Sequence, residues 1–367
     1  MCKKLTCFVI LLMLSISFGT VLSQGAELPP LTELGPYGIG LTNVKLVESR
    51  LGDWELNVFV WYPADKTGGN SVMPDMLARR DAPPDKSGAP YPLIIYSPYW
   101  TGSPARFSEV IEHLVSRGYV VAGTQHHDTQ PNRSALVDRP LDILLMLDGL
   151  AALTDGDLAG MMNTQDVGLM GYSQGAETVL QMVGLLRDPV HFTTWCAEPH
   201  PELKTPECDP SGPNQSVQWP FVEIADYRTQ LGLENTSDGR WAPFGDQRIR
   251  AVLAMAACDF PLTTEDMLAE VTTPTMLMHG SADVSCDYEG NAVRTYTYLG
   301  TEDRYLVTLV DGDHLDFLDW PIAPQHFATA FFGYYLQGDD TYQSYLTPEA
   351  VPTWDIPELA WGPHEGE

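Results

Sequence analysis

Three residues stand in the types and chain order that nucleophilic catalysis needs: Ser173 within Gly171-Tyr172-Ser173-Gln174-Gly175, Asp283 within Gly280-Ser281-Ala282-Asp283, and His314 within Asp311-Gly312-Asp313-His314. A serine hydroxyl titrates far above neutrality, so it attacks only when a base takes its proton, and the base needs an acid to hold its ring. The Gly-x-Ser-x-Gly pattern predicts a serine on a strained strand-to-helix turn, where side chains two residues before or after it would collide. The backbone N–H groups after Ser173 then open a helix and face whatever the serine attacks.

The other histidines are worse placed. His279 falls inside a strand, His126 and His127 precede the serine, and His326 falls on a helix. Asp283 has a rival acid in Asp259, which follows the preceding strand and can reach the same histidine. Asp313 and Asp316 lie too close to His314 in sequence to orient its ring and are expected to face solvent. A carbonyl oxygen that gains charge needs two donors. One is the N–H of Gln174; the other is expected from the loop Ser97-Pro98-Tyr99-Trp100, and since Pro98 has no N–H, Trp100 is assigned the role ahead of Tyr99.

The elements that must position these groups follow from hydrophobic periodicity. Asn43–Arg50 and Trp54–Tyr62 alternate apolar and polar residues, as in an antiparallel hairpin. Buried strands are predicted at Tyr91–Tyr96, Tyr119–Thr124, Val167–Tyr172, Arg248–Ala257, Thr275–His279 and Tyr305–Val310. Helices are predicted between them at Ala105–Arg117, Arg139–Leu153, Gln174–Leu186, Leu262–Glu270 and Asp287–Tyr298, with a last one at Pro324–Leu336. This rhythm implies an α/β fold with a mostly parallel central sheet flanked by helices. The serine, the acid and the histidine then all fall just past the C-terminal ends of strands, where open α/β sheets carry their sites.

Three segments fall outside the rhythm. Residues 24–42 read as irregular, and 66–90 as a polar, Pro-rich excursion. Residues of about 188–247 read as an inserted lid, with Trp195, Trp219, Phe221 and Trp241 as candidate lining. Residues 339–367 form an acidic, Pro-rich tail whose Trp354 and Trp361 suggest docking on the surface. The domain itself is assigned to 24–338.

Residues 1–23 carry Lys3 and Lys4 ahead of an apolar run from Phe8 to Leu14, as a secretory signal does, and the run is too short for a membrane span. Removing them leaves Cys196, Cys208, Cys258 and Cys286, an even set suited to an oxidising compartment. The expected pairs are Cys196 with Cys208, close together in the lid, and Cys258 with Cys286, which follow two neighbouring strand ends. No Cys-x-x-Cys or close Cys/His spacing supports a metal site, and no cofactor is called for. The net charge of −29 disfavours nucleic acid and anionic membranes as partners. A monomer acting on a small or polymeric substrate is expected.

Together, GYSQG, HGSAD, DGDHLDF, the hairpin end FVWYPAD and PLIIYSPYWTGSPARFSEVIEHLVSRGYVVAGTQHHD resemble the α/β-hydrolase superfamily, from about Tyr37 to Gly333. Within it the chain looks most like the hydrolases grouped with platelet-activating-factor acetylhydrolase and predicted dienelactone hydrolases. The resemblance implies a serine esterase acting on short-acyl esters or acetylated phospholipids. True dienelactone hydrolases use a cysteine, where this chain has Ser173. The group usually has Ser-His-Gly where this chain has Ser97-Pro98-Tyr99, and the loop is also similar to that of cutinase-like polyester hydrolases. The vertebrate acetylhydrolases carry their acid after the earlier strand, which keeps Asp259 in play. A binding protein on an inactive hydrolase scaffold is the reading from a different class.

Overall fold

The structure, a computed structural model, describes residues 28–48, 54–127, 134–198, 221–258, 262–354 and 357–364. The expected signal segment, Cys208, Trp219 and the alternative acid Asp259 lie outside them, as does the side chain of Phe221.

In chain order the strands are β1 Gly38–Glu48, β2 Trp54–Ala64, β3 Asn70–Ser71, β4 Arg79–Arg80, β5 Tyr91–Ser97, β6 Val120–Thr124, β7 Met162–Tyr172, β8 Ile249–Met255, β9 Thr275–Gly280, β10 Arg304–Leu309 and β11 Leu359–Trp361. The helices are α1 Ser108–Ser116, α2 Ala135–Ala151, α3 Gln174–Gln181, α4 Pro189–Cys196, α5 Phe221–Gln230, α6 Glu265–Ala269, α7 Arg294–Tyr298, α8 Asp316–Asp319 and α9 Ile322–Tyr335. The strands form one sheet in the order β11-β10-β9-β8-β7-β5-β6-β2-β1-β4-β3. From β10 to β6 every neighbouring pair is parallel. The antiparallel hairpin β1–β2 extends this core through β6, so the predicted α/β class with a mostly parallel, helix-flanked sheet holds.

Alternation along the strands divides the core in two. Leu93, Ile95, Val120, Leu169, Val252 and Leu277 face one layer, with Val179 and Leu180 of α3 and Leu147 of α2. Ile94, Tyr96, Val121, Met170, Leu253 and Met276 face the other, against Val110 and Leu114 of α1 and Phe327, Phe331 and Phe332 of α9. Each such fully buried side chain contributes roughly 1.5–3 kcal/mol relative to exposure, which makes both layers deep wells for the register. After β5 the chain moves outward to β6, then returns to the other side of β5 as β7. Strand order therefore reverses between β5 and β7, the place at which open α/β sheets carry their sites, beyond the strands' C-terminal ends.

Several expectations are corrected or extended. Residues 38–42 belong to β1 rather than to an irregular segment: Ile39 and Leu41 are buried, and glycine at position 40 makes room for the Tyr62 ring, which would lie 2.4 Å from an added Cβ. Helix α2 begins at Ala135 instead of Arg139, with Pro140 inside it; burial of Leu136, Val137 and Leu141 outweighs the hydrogen bond that Pro140 cannot donate. Helix α3 ends at Gln181, short of Leu186. The tail is more than docked: β11 pairs antiparallel with β10, and Trp361 packs edge-on against Tyr305 at 5.9 Å. Trp354 meets His326 at 5.8 Å.

In the 188–247 segment, α4 and α5 are followed by a stretch that folds back on the residues after α3 through the bridges Val183 to Gly245 and Arg187 to Trp241. Trp241 is buried, with the Arg228 guanidinium 5.1 Å from its ring centre, so it packs this segment rather than lining a cleft. No helix among the described residues is long and apolar enough to cross a membrane.

Candidate active site

Ser173 sits between β7 and α3 with φ 56° and ψ −122°, a conformation that side chains rarely adopt. Its N–H bonds the Met255 carbonyl of β8 at 2.8 Å, and its carbonyl accepts from Ala176 N at 2.8 Å, so the turn is gripped from both sides. The flanking glycines are obligatory by distance. A Cβ on Gly171 would lie 2.2 Å from the Gly175 carbonyl oxygen, and one on Gly175 would lie 1.9 Å from the Ser97 carbonyl oxygen.

His314, after β10, points its Nε2 at Ser173 Oγ, 2.9 Å away, and its Nδ1 at Asp283 Oδ2, 2.7 Å away. Asp283, after β9, has a side chain with no solvent exposure, and its other oxygen accepts the N–H groups of Ser285 at 2.8 Å and Cys286 at 2.9 Å. Burial alone would push this carboxyl up. Hydrogen bonds from His279 and His314 outweigh it and hold the group far below the usual carboxylate range. An ionised Asp283 can only accept, so the His314 proton lies on Nδ1 and Nε2 is free to accept from the serine hydroxyl.

Sequence reasoning missed two supporting residues. His279 Nε2 lies 2.8 Å from the Cys286 carbonyl and 3.2 Å from Asp283 Oδ2, both acceptors, so it donates to the acid loop. Tyr172 donates its hydroxyl to the His314 carbonyl, and its ring stacks on the imidazole at 5.9 Å. Burial, and then the Asp283 charge, raise the Tyr172 pKa far above the ordinary tyrosine value, which keeps it a donor. Nearness in sequence is the signal for both: Tyr172 directly precedes the serine, and His279 lies in β9 four residues before Asp283.

Asp313 is exposed, as expected, but Asp316 is half-buried and accepts the Asp313 N–H at 2.7 Å, tying the turn that carries His314. The Cys258–Cys286 disulfide forms, with Cα atoms 5.0 Å apart. Its sulfurs lie within 4.8 Å of a His314 ring nitrogen, and being bonded to each other they offer no thiolate to a metal. Cys196 is also disulfide-bonded.

Gln174 opens α3, and its N–H belongs to that helix's N-terminus. Trp100 lies half-buried in a turn closed by a 2.8 Å bond from Gly102 N to the Tyr99 carbonyl, with Thr101 at φ 56°. Two apolar side chains flank the triad in solvent: Val284, 53% exposed, follows the acid, and Leu315, 58% exposed, follows the histidine.

The arrangement can move a proton from a hydroxyl to an imidazole and stabilise the imidazolium, which is the equipment of acyl transfer. No protein-family model matches this chain, and no curated protein is similar enough to it to count as a match.

Proposed function

We propose that the protein is a secreted serine esterase of α/β-hydrolase type, with Ser173 as nucleophile, His314 as general base and acid, and Asp283 as the orienting acid. One observation carries the reading: Ser173 Oγ, the His314 ring and Asp283 are hydrogen-bonded in series at 2.9 and 2.7 Å, at the C-terminal ends of the strands. Ser173 attacks the ester carbonyl as His314 Nε2 takes its proton. The oxyanion is held by the N–H groups of Gln174 and Trp100, and His314 returns the proton to the departing alcohol. Water, deprotonated by the same Nε2, then releases the acid from the acyl-enzyme. The disulfide beside the site suits the oxidising compartment that secretion implies.

Short-acyl esters, including acetylated phospholipids, are the first substrate class. The exposed Val284 and Leu315 beside the triad favour a second, the surface of an apolar polyester, because solvent-facing apolar groups at a cleft's rim gain most from a flat apolar substrate.

Hydrolysis of p-nitrophenyl esters from acetate to palmitate, with Ser173→Ala as the blank, tests the reading. Ser173-dependent turnover is expected, steeply favouring acetate and butyrate in the first case and nearly independent of chain length in the second. Absence of Ser173-dependent turnover on every ester would leave the inactive-scaffold reading.

A further inference from the structure

Behind the candidate oxyanion loop lies a second Ser-His-Asp series that no substrate can reach. Ser97, the last residue of β5, places Oγ 3.0 Å from His126 Nε2, and His126 Nδ1 lies 2.7 Å from Asp142 Oδ2. Their exposures are 0, 5 and 2%, so this series cannot serve as a nucleophilic centre. Three residues before Asp142, on the same face of α2, the 1%-exposed Arg139 donates to the Pro98 carbonyl at 2.6 Å and the Tyr99 carbonyl at 3.1 Å. Three consecutive loop residues are therefore held by buried polar side chains from α2 and from the segment after β6.

Burying a guanidinium is expensive, and a hydrophobic side chain of similar volume would commonly stabilise a core as well or better. Arg139 does something a hydrophobic residue cannot. A trans peptide is planar, with its carbonyl and N–H pointing in opposite directions. The Tyr99 carbonyl, which also accepts the turn's own bond from Gly102 N at 2.8 Å, is drawn inward to Arg139, and this turns the Trp100 N–H outward, away from α2. The carbonyl of Ser97, fixed at its other end by the side chain on His126, is meanwhile wedged against Gly175.

We infer that Arg139, with the buried Ser97–His126–Asp142 series, is a positioning device that orients the Tyr99–Trp100 peptide so that its N–H meets the oxyanion. The inference rests on the esterase reading. Arg139 and the Ser97 series touch no substrate; they act through the loop.

The test compares Arg139→Met, Arg139→Lys and Ser97→Ala with the wild type in three readouts: kcat and KM for p-nitrophenyl butyrate, thermal unfolding, and inhibition by phenylboronic acid, whose tetrahedral adduct places an oxygen where the oxyanion forms. Losing a well-aimed donor costs on the order of 10²-fold in kcat. Arg139→Met is expected to lose about that much, with KM within a few-fold and boronate affinity falling in step with kcat. Arg139→Lys, able to reach one carbonyl, should recover part of the loss in both, and Ser97→Ala should show a smaller fall in both. If Arg139→Met does not fold, the other two variants carry the test. Variants that unfold earlier but keep kcat per titrated active site and boronate affinity would overturn the inference and leave the esterase reading intact. A wild type without Ser173-dependent hydrolysis would remove both.

Discussion

Gly175→Ala sets one methyl group against the exit of β5. The added Cβ would lie 1.9 Å from the Ser97 carbonyl oxygen, 2.5 Å from its carbon and 2.7 Å from the Pro98 oxygen. Carbon–oxygen contacts settle at about 3.3 Å or more, so α3 and the 97–100 loop must part by more than ~1 Å. All three obstacles are backbone; Arg139 of α2 holds the Pro98 carbonyl, and His126, after β6, holds the Ser97 side chain, so none rotates aside freely. Overpacking of this kind costs roughly 1–3 kcal/mol. Displacing a catalytic group by ~1 Å costs on the order of 10²-fold in rate. Gly175→Ala is thus expected to lower the Tm by several degrees and p-nitrophenyl acetate hydrolysis by about 10²-fold or more. Gly245→Ala is the control. Nothing lies within 4 Å of its added Cβ, so activity should be unchanged and stability equal or slightly raised. A Gly175→Ala protein with wild-type Tm and activity within threefold would refute this reading of the turn.

Asp283→Asn should cost about 10³–10⁴-fold in kcat, since the amide no longer holds the His314 Nδ1–H as an ionised acceptor does, whereas Asp259→Asn should cost less than about tenfold; the reverse ranking would move the acid. Replacing Cys258 and Cys286 by serine opens a loop of sequence separation 28, a loss of roughly 3–4 kcal/mol in the chain-entropy account. It should lower both the Tm and the rate, because the bridge abuts the acid loop; an unchanged Tm would count against the brace. Acid should weaken the fold through His113 and His326, whose pKa values burial presses from 6.5 down to about 4. The unfolded chain takes up these protons at about 6.5 and the folded chain only near 4, so their stabilisation is complete above 6.5 and is lost as pH falls through that window. The loss approaches on the order of 3 kcal/mol for each histidine. Urea midpoints should fall from pH 7.5 to pH 5, and less so in His113→Gln; a flat profile would contradict the assignment.

The parallel strands were legible because burial on both faces writes them as unbroken apolar runs, such as Leu93–Tyr96 and Val252–Met255. The triad geometry was legible because each member follows a strand end and the serine carries its two glycines. The second series was not, since Ser97, His126 and Asp142 meet only through the β5–β6 pairing and the placement of α2, which no local spacing records. His126 precedes the nucleophile in the chain, an order that excludes it as the catalytic base and leaves a supporting role open. Strand β11 escaped notice because three residues without alternation become a strand only by pairing with β10. Trp241 reads as a lid aromatic in sequence because an insertion's own core and its lining have the same composition; its burial, the Arg228 contact and the bridge to Arg187 separate them.

Reaction with diethyl p-nitrophenyl phosphate, followed by peptide mass spectrometry, probes the nucleophile most directly. The account predicts one p-nitrophenol released per chain and one diethylphosphoryl group on Ser173, absent in Ser173→Ala and slowed by orders of magnitude in His314→Ala. A chain that stays unmodified, or that carries the label on another residue with Ser173 untouched, would contradict it.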